Sequence, residues 1–227
     1  MKNILSDIQK VILVPIHKEG WKFITIFTVV TLILAMINSY LGILGIVLTS
    51  WCIFFFRNPE RFIPTEEGVI VSPGDGKVNS IEKNVKVPEE FDFDKSINWV
   101  KVSIFLNVFN VHVNRVPIEG KVERLFYKKG EFLSANSDEA SDLNERQSVL
   151  LKVKNDKTVI FAQVAGLVAR RIICDLEEKQ EVKTGDIFGI IRFGSRVDVY
   201  LKEEEIKLKV IVGQTMIGGE TVIAEFV

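Results

Sequence analysis

The chain of 227 residues carries 29 lysines and arginines against 30 aspartates and glutamates, a balance that offers no basic field to nucleic acid. Its mean hydropathy of +0.21 and its 16 phenylalanines are high for a water-soluble domain and point to apolar surface that faces lipid. Two cysteines, Cys52 and Cys174, far apart and without ligand spacing, argue against a disulfide framework and fit a cytoplasmic catalytic part, while two histidines, His17 and His112, are too few for a multi-histidine metal site.

Residues 1–20 mix Ile4, Ile8, Val11 and Ile12 with Lys2, Asp7, Lys10, Lys18 and Glu19, the composition of an interfacial lead-in helix. From Phe23 to Phe56 no residue is charged, and the run is broken by Asn38-Ser-Tyr-Leu-Gly42. That length with a central turn signal predicts two short helices, a hairpin over 21–56, rather than one span. Lys18 and Lys22 precede the run and Arg57 and Arg61 follow it, so both ends are expected on the cytoplasmic face of the cell membrane. A cleaved signal peptide would need a shorter apolar region and a small-residue cleavage site.

Beyond Pro64 the pattern changes to short β-like runs punctuated by Gly and Asn, so 57–227 reads as one β-rich catalytic domain. Within it, Pro73-Gly-Asp-Gly-Lys-Val78 and Pro117-Ile-Glu-Gly-Lys-Val122 share the form Pro-x-acidic-Gly-Lys-Val, each turning into a strand. The echo predicts two related motifs packed together, as in a barrel-sandwich arrangement. The fold class is therefore mainly β (α+β), a single domain with duplicated motifs behind a membrane helical hairpin. Ser137–Arg146, polar and free of Gly, reads as a helix or a solvated loop, and Lys202-Glu-Glu-Glu205 as a solvated turn.

Near the C-terminus, Asp186-Ile-Phe-Gly-Ile-Ile-Arg192 and Val197, Val199, Leu201 read as two strands on either side of Gly194-Ser195. Taken alone, Gly-Ser is a turn signal. It also permits a particular chemistry. Gly194 has no Cβ to shield its carbonyl and tolerates strained φ/ψ, and the Ser195 hydroxyl can reach that carbonyl to turn the amide into an ester. Removal of the Ser195 α-proton then eliminates the ester and leaves dehydroalanine, which hydrolyses to an N-terminal pyruvoyl group. Such a ketone can form a Schiff base with a substrate amine and act as an electron sink, the role of pyridoxal phosphate elsewhere.

With that bond placed, Phe55-Phe-Arg-Asn-Pro-Glu-Arg61, Ser72-Pro-Gly-Asp-Gly-Lys-Val78, Phe105-Leu-Asn-Val-Phe-Asn-Val-His-Val-Asn-Arg-Val-Pro117, Asn144-Glu-Arg146 and Phe193-Gly-Ser-Arg196 form an ordered set. The set resembles the short, membrane-attached phosphatidylserine decarboxylases. The resemblance implies cleavage at Gly194–Ser195 into a large chain 1–194 and a small chain 195–227 that remain associated as a heterodimer. It also implies a covalent pyruvoyl group made from Ser195, with neither metal nor pyridoxal phosphate, and phosphatidylserine and membrane lipids as partners. Asp75 matches the acidic member of the family's processing triad and His112 a histidine facing the cleavage site. The longer members carry a second histidine three residues later, where this chain has Arg115. Lys77, Arg115 and Arg196 are the candidates for the substrate's phosphate or carboxylate.

Each residue has a blander reading. A lone strand histidine is commonly structural, and Asp between glycines is commonly a turn former. The Gly-Lys-Val echoes and Val182-Lys-Thr-Gly-Asp186 also look like lipoyl and biotinyl carrier domains, so a membrane-tethered carrier stays open, as does an ether-linked (archaetidylserine) substrate.

Overall fold

The computed structural model describes residues 14–94, 96–134, 140–167, 171–192 and 194–227, and most of the expected lead-in, with Phe193 and part of Ser137–Arg146, lies outside them. The chain divides into two compact units, one of residues 1–60 with 109–113 and one of 61–108 with 114–227. His112 therefore belongs to the helical unit, while Asp75, Arg115 and Ser195 belong to the sheet unit.

In the first unit, α1 (Gly20–Ile37) and α2 (Ser39–Phe56) form the expected hairpin. Asn38 makes the turn with an extended backbone: its N–H donates to Leu34 O, and its Oδ1 accepts from Tyr40 N at 2.7 Å to cap α2. The helices touch through small residues. A Cβ on Gly42 would lie 2.9 Å from Ala35 Cβ and one on Gly45 2.9 Å from Thr31 Cγ2, and Thr31 and Thr49 share a hydroxyl hydrogen bond of 2.9 Å. The outward faces are apolar, with Leu32, Met36, Ile37 and Ile46 exposed. Each helix has 18 residues, about 27 Å of length, and both are long and apolar enough to cross a membrane.

The second unit is built from strands, in chain order β1 (Val69–Val71), β2 (Gly76–Val85), β3 (Trp99–Leu106), β4 (Val113–Arg115), β5 (Gly120–Lys128), β6 (Arg146–Lys152), β7 (Thr158–Ala165), β8 (Ile172–Cys174), β9 (Glu181–Val182), β10 (Ile187–Ile191), β11 (Ser195–Lys202), β12 (Ile206–Leu208), β13 (Thr215–Met216) and β14 (Val222–Phe226). The largest sheet runs β13-β2-β3-β11-β7-β6-β5-β9, flanked by β1-β14-β12 and β4-β10-β8. Its central strands are buried on both sides. Val102, Ile104, Val149, Phe161, Val197 and Val199 face the main core, while Trp99, Leu150, Ile160, Ala162 and Tyr200 form a second one on the reverse face. In the described part of Ser137–Arg146, which reads as a helix or a solvated loop, there is one helical turn, α3 (Ala140–Leu143), and Arg146 already opens β6.

The repeated motif is an internal duplication of geometry. Gly76 and Gly120 each open a strand, and a Cβ there would meet a carbonyl oxygen of the neighbouring strand at 2.1 Å (Phe105) and 2.3 Å (Lys152). Each of these strands carries a two-residue partner at a sheet edge, Lys77 opposite Thr215 and Lys121 opposite Glu181. The turn beside each partner holds a left-handed glycine, Gly219 (φ +83°) and Gly185 (φ +82°), and both pack on Ile63.

One relationship differs from a simple hairpin. β10 and β11 flank Gly194-Ser195 but do not pair with each other: β10 pairs with β8, and β11 lies between β3 and β7. The Gly-Ser bond is thus a crossing from one sheet to another, not a turn.

Candidate active site

Ser195 is the first residue of the central strand, opposite Leu106 of β3 on one side and Ala165 of β7 on the other. Pairing on both sides fixes its position, and alternation puts its side chain on the main-core face with Val197, Val199 and Leu201. The residue is fully buried, yet its Oγ has no hydrogen-bond partner among the described residues. Burying an unpaired hydroxyl costs about 1–3 kcal/mol; Ser103 Oγ on β3 is left so as well, and what sets Ser195 apart is the left-handed glycine directly before it. The preceding Gly194 has φ +76°, and the nearest atom to a Cβ there would be Val108 Cγ1 at 3.5 Å. The glycine is required by its backbone, not by crowding.

Asp75 comes to the same end of the sheet. Its turn is held by Ser72, whose Oγ donates to Gly74 O at 2.7 Å. A Cβ on Gly74 would lie 2.8 Å from Leu106 Cδ2, so the turn packs on the residue that pairs with Ser195. The Asp75 carboxylate is nearly buried; Arg61 Nη2 donates to its Oδ1 (2.9 Å) and Oδ2 (2.8 Å), and Gly218 N donates to Oδ1 at 2.8 Å. Arg61 stands in the quoted Phe55–Arg61 motif, where the sequence gave it a place only among the basic residues flanking the hairpin.

Arg115 is half-buried beside this group, donating from Nη1 to Gly185 O at 2.9 Å. Burial, then the neighbouring Arg61, pull its pKa below the usual arginine value, and Asp75, Glu220 and Asp186 oppose the shift. Lys77 is exposed two residues beyond Asp75. Arg196 goes elsewhere. It lies on the face opposite Ser195 with its Nε 2.9 Å from Asp198 Oδ1, and its Nη2 also donates to Ser141 Oγ. Nearby on the same face Arg146 and Ser148 bind Glu90 at 2.8 and 2.7 Å. This is a buried charge network that holds β11 and α3, whereas Asp75 is bound by Arg61.

Three further polar residues support the Ser195 end of the sheet. Asn144 Nδ2 donates to Ala165 O at 2.7 Å, fixing the residue opposite Ser195, and Gln163 Nε2 donates to Asn114 Oδ1 at 2.8 Å. Asn144 and Asn114 lie inside the quoted motifs, and Gln163 is a lone polar residue in the apolar run Val159–Ala165, which is the signal by which it could have been found.

His112 is described within the helical unit. Its ring stacks on Phe55 with centroids 4.0 Å apart, and its Nδ1 lies 2.9 Å from Asn110 O. A carbonyl only accepts, so Nδ1 carries the proton and Nε2 keeps its lone pair. That Nε2 is buried and has no partner among the described residues. Burial lowers the pKa to about 4, with the Asn110 hydrogen bond opposing, so the imidazole is neutral at pH 7 and its Nε2 lone pair is free to accept a proton.

Fold and site thus define a β-sheet domain that follows an apolar helical hairpin in the chain, with a central strand that opens on a buried serine hydroxyl. The family model for phosphatidylserine decarboxylase matches residues 48–224. The phosphatidylserine decarboxylase proenzymes of Rickettsia felis, Rickettsia akari and Rickettsia bellii are each 52% identical over 221 residues, which cover 97% of this chain and 93% of theirs. The chain belongs to the phosphatidylserine decarboxylase family.

Proposed function

We propose that this chain cuts itself between Gly194 and Ser195 and then converts phosphatidylserine to phosphatidylethanolamine and carbon dioxide at the membrane surface. The observation that carries the reading is the buried, unpartnered Ser195 Oγ directly behind a left-handed Gly194. In the first step Ser195 Oγ attacks the Gly194 carbonyl carbon, a neutral His112 takes the hydroxyl proton, and the C–N bond breaks to leave an ester and a free amine on Ser195. Loss of the Ser195 α-proton expels the Gly194 carboxylate and leaves dehydroalanine. Water adds to its imine tautomer, ammonia departs, and residue 195 ends as a pyruvoyl group.

The pyruvoyl group supplies an electrophilic carbonyl that takes up the substrate's amine and draws in the electron pair left when carbon dioxide departs. The buried hydroxyl of Ser195, with no competing hydrogen bond among the described residues, fits the formation of that group. Asp75, held by Arg61, serves the self-cleavage. Arg115 and Lys77 bind the lipid's phosphate or carboxylate from the same end of the sheet. His112 returns a proton to the α-carbon of the product. The small chain 195–227 stays with 1–194 because β11 is hydrogen-bonded on both sides and Gly218 is tied to Asp75. The basic residues at both ends of the hairpin orient the catalytic part to the cytoplasm.

A denaturing gel beside Ser195→Ala tests the cut, since the wild type should give two chains and the variant one. Mass spectrometry of the small chain should find it lighter than a serine-ended 195–227 by one ammonia. A serine-ended small chain would mean ordinary proteolysis and would overturn the reading.

A further inference from the structure

Asp75 is hydrogen-bonded by Arg61 and by the Gly218 amide, and the residue adjoining each of these donors is an exposed apolar side chain: Phe62 at 88% exposure and Ile217 at 41%. Farther along the same edge, the turn before β13 carries Ile211 at 72% and Val212 at 58% exposure. This tip is held firmly at its base, because Val210 and Met216 on either side of it are buried in the main core, and Gly213 N donates to Val78 O at 2.8 Å. It stands in open space, since a Cβ on Gly213 would have no atom within 4 Å. From Ile206 to Gly219 the chain has two lysines and no acid; Lys209 pairs with Glu225 at 2.6 Å, while Lys207 and, on the strand paired with β13, Lys77 are exposed to meet head groups.

We infer that this edge is a lipid-contacting rim of the sheet unit: Ile211 and Val212 enter the interface of a bilayer that contains anionic phospholipid, and Phe62 and Ile217 border the Asp75 end where a head group is received. The inference rests on the lipid substrate proposed above. A rigid tip with two adjacent exposed aliphatic side chains is costly in water and gains when it is placed among acyl chains, and Lys207 and Lys77 complement anionic head groups. The rim would give the sheet unit a lipid contact of its own, besides that of the helices.

The test compares substrates in two physical states. Ile211→Asp/Val212→Asp should process itself normally and keep its kcat/KM on dihexanoylphosphatidylserine below the micellar concentration. On vesicles of phosphatidylserine in phosphatidylcholine its KM should rise by about a hundredfold or more, the loss expected for two fully buried aliphatic side chains. An unchanged vesicle KM would overturn the rim, as would an equal loss on the monomeric lipid. If the double variant fails to fold, an environment-sensitive dye on Val212→Cys, in a Cys52→Ser/Cys174→Ser chain, decides the matter. Its emission should shift to the blue on vesicles and be quenched by brominated phosphatidylcholine, and a water-exposed signal would reject the inference. Quenching without decarboxylation in the unaltered chain would leave the rim standing and reject the proposed activity instead.

Discussion

Arg61 Nη2 reaches both carboxylate oxygens of Asp75, at 2.9 and 2.8 Å, with the two side chains only 9% and 7% exposed. Removing one partner of a buried pair strands the other charge away from water, so Arg61→Ala should destabilise the sheet unit by about 3 kcal/mol. Thermal unfolding in micelles measures this, and time courses of small-chain appearance should show slower self-cleavage. Arg61→Lys keeps the charge but loses the planar fork, and should fall between wild type and Arg61→Ala in both readings.

His112 has its pKa lowered from 6.5 to about 4 by burial. Between those values the unfolded chain binds a proton that the folded chain does not, so stability is full above pH 6.5 and is lost as pH falls towards 4. The loss amounts to roughly 3 kcal/mol. Carboxylates titrate in the same window. The expected outcome is therefore a difference: His112→Gln should lose less stability than the wild type between pH 7 and pH 4.5, measured by thermal unfolding at each pH. Equal losses would show that His112 titrates normally in the fold.

Gly194 should respond to backbone conformation and not to size. A Cβ at this position has room, with Val108 Cγ1 at 3.5 Å, but φ is +76°. Alanine in the left-handed region costs about 1–2 kcal/mol, whereas asparagine adopts it more readily. Gly194→Ala should therefore self-cleave more slowly than Gly194→Asn, although Asn is the larger. The reverse order on a gel time course would place the constraint in packing.

The hairpin predicts a shared side for the two ends of the chain. Reporters fused before residue 1 and after residue 227 should both report the cytoplasm, and a glycosylation or cysteine-accessibility probe at Asn38–Tyr40 should report the bilayer or its far side. Opposite sides for the two termini would leave only one of the two helices spanning.

Much of this molecule could be read from local chemistry. The uncharged run Phe23–Phe56, the Asn38 break and the alternation of Val197, Val199 and Leu201 give helices and strand because they depend on periods of a few residues. The Pro-x-acidic-Gly-Lys-Val echo foretold the duplication, since only glycine fits where Gly76 and Gly120 meet a neighbouring carbonyl. That Gly194 takes a left-handed backbone was legible for a related reason, since conformational freedom is a property of the glycine itself.

Only the tertiary structure decided who stands beside whom. β10 and β11 are adjacent in sequence but belong to different sheets, because apolar strands buried on both faces take partners from anywhere in the chain. Arg196 is next to Ser195, yet strand alternation turns it to the reverse face and into a pair with Asp198. Arg61 is 14 residues from Asp75 and binds it through both oxygens. Charge pairing and burial act through space, so partners such as these become visible only once the chain has folded.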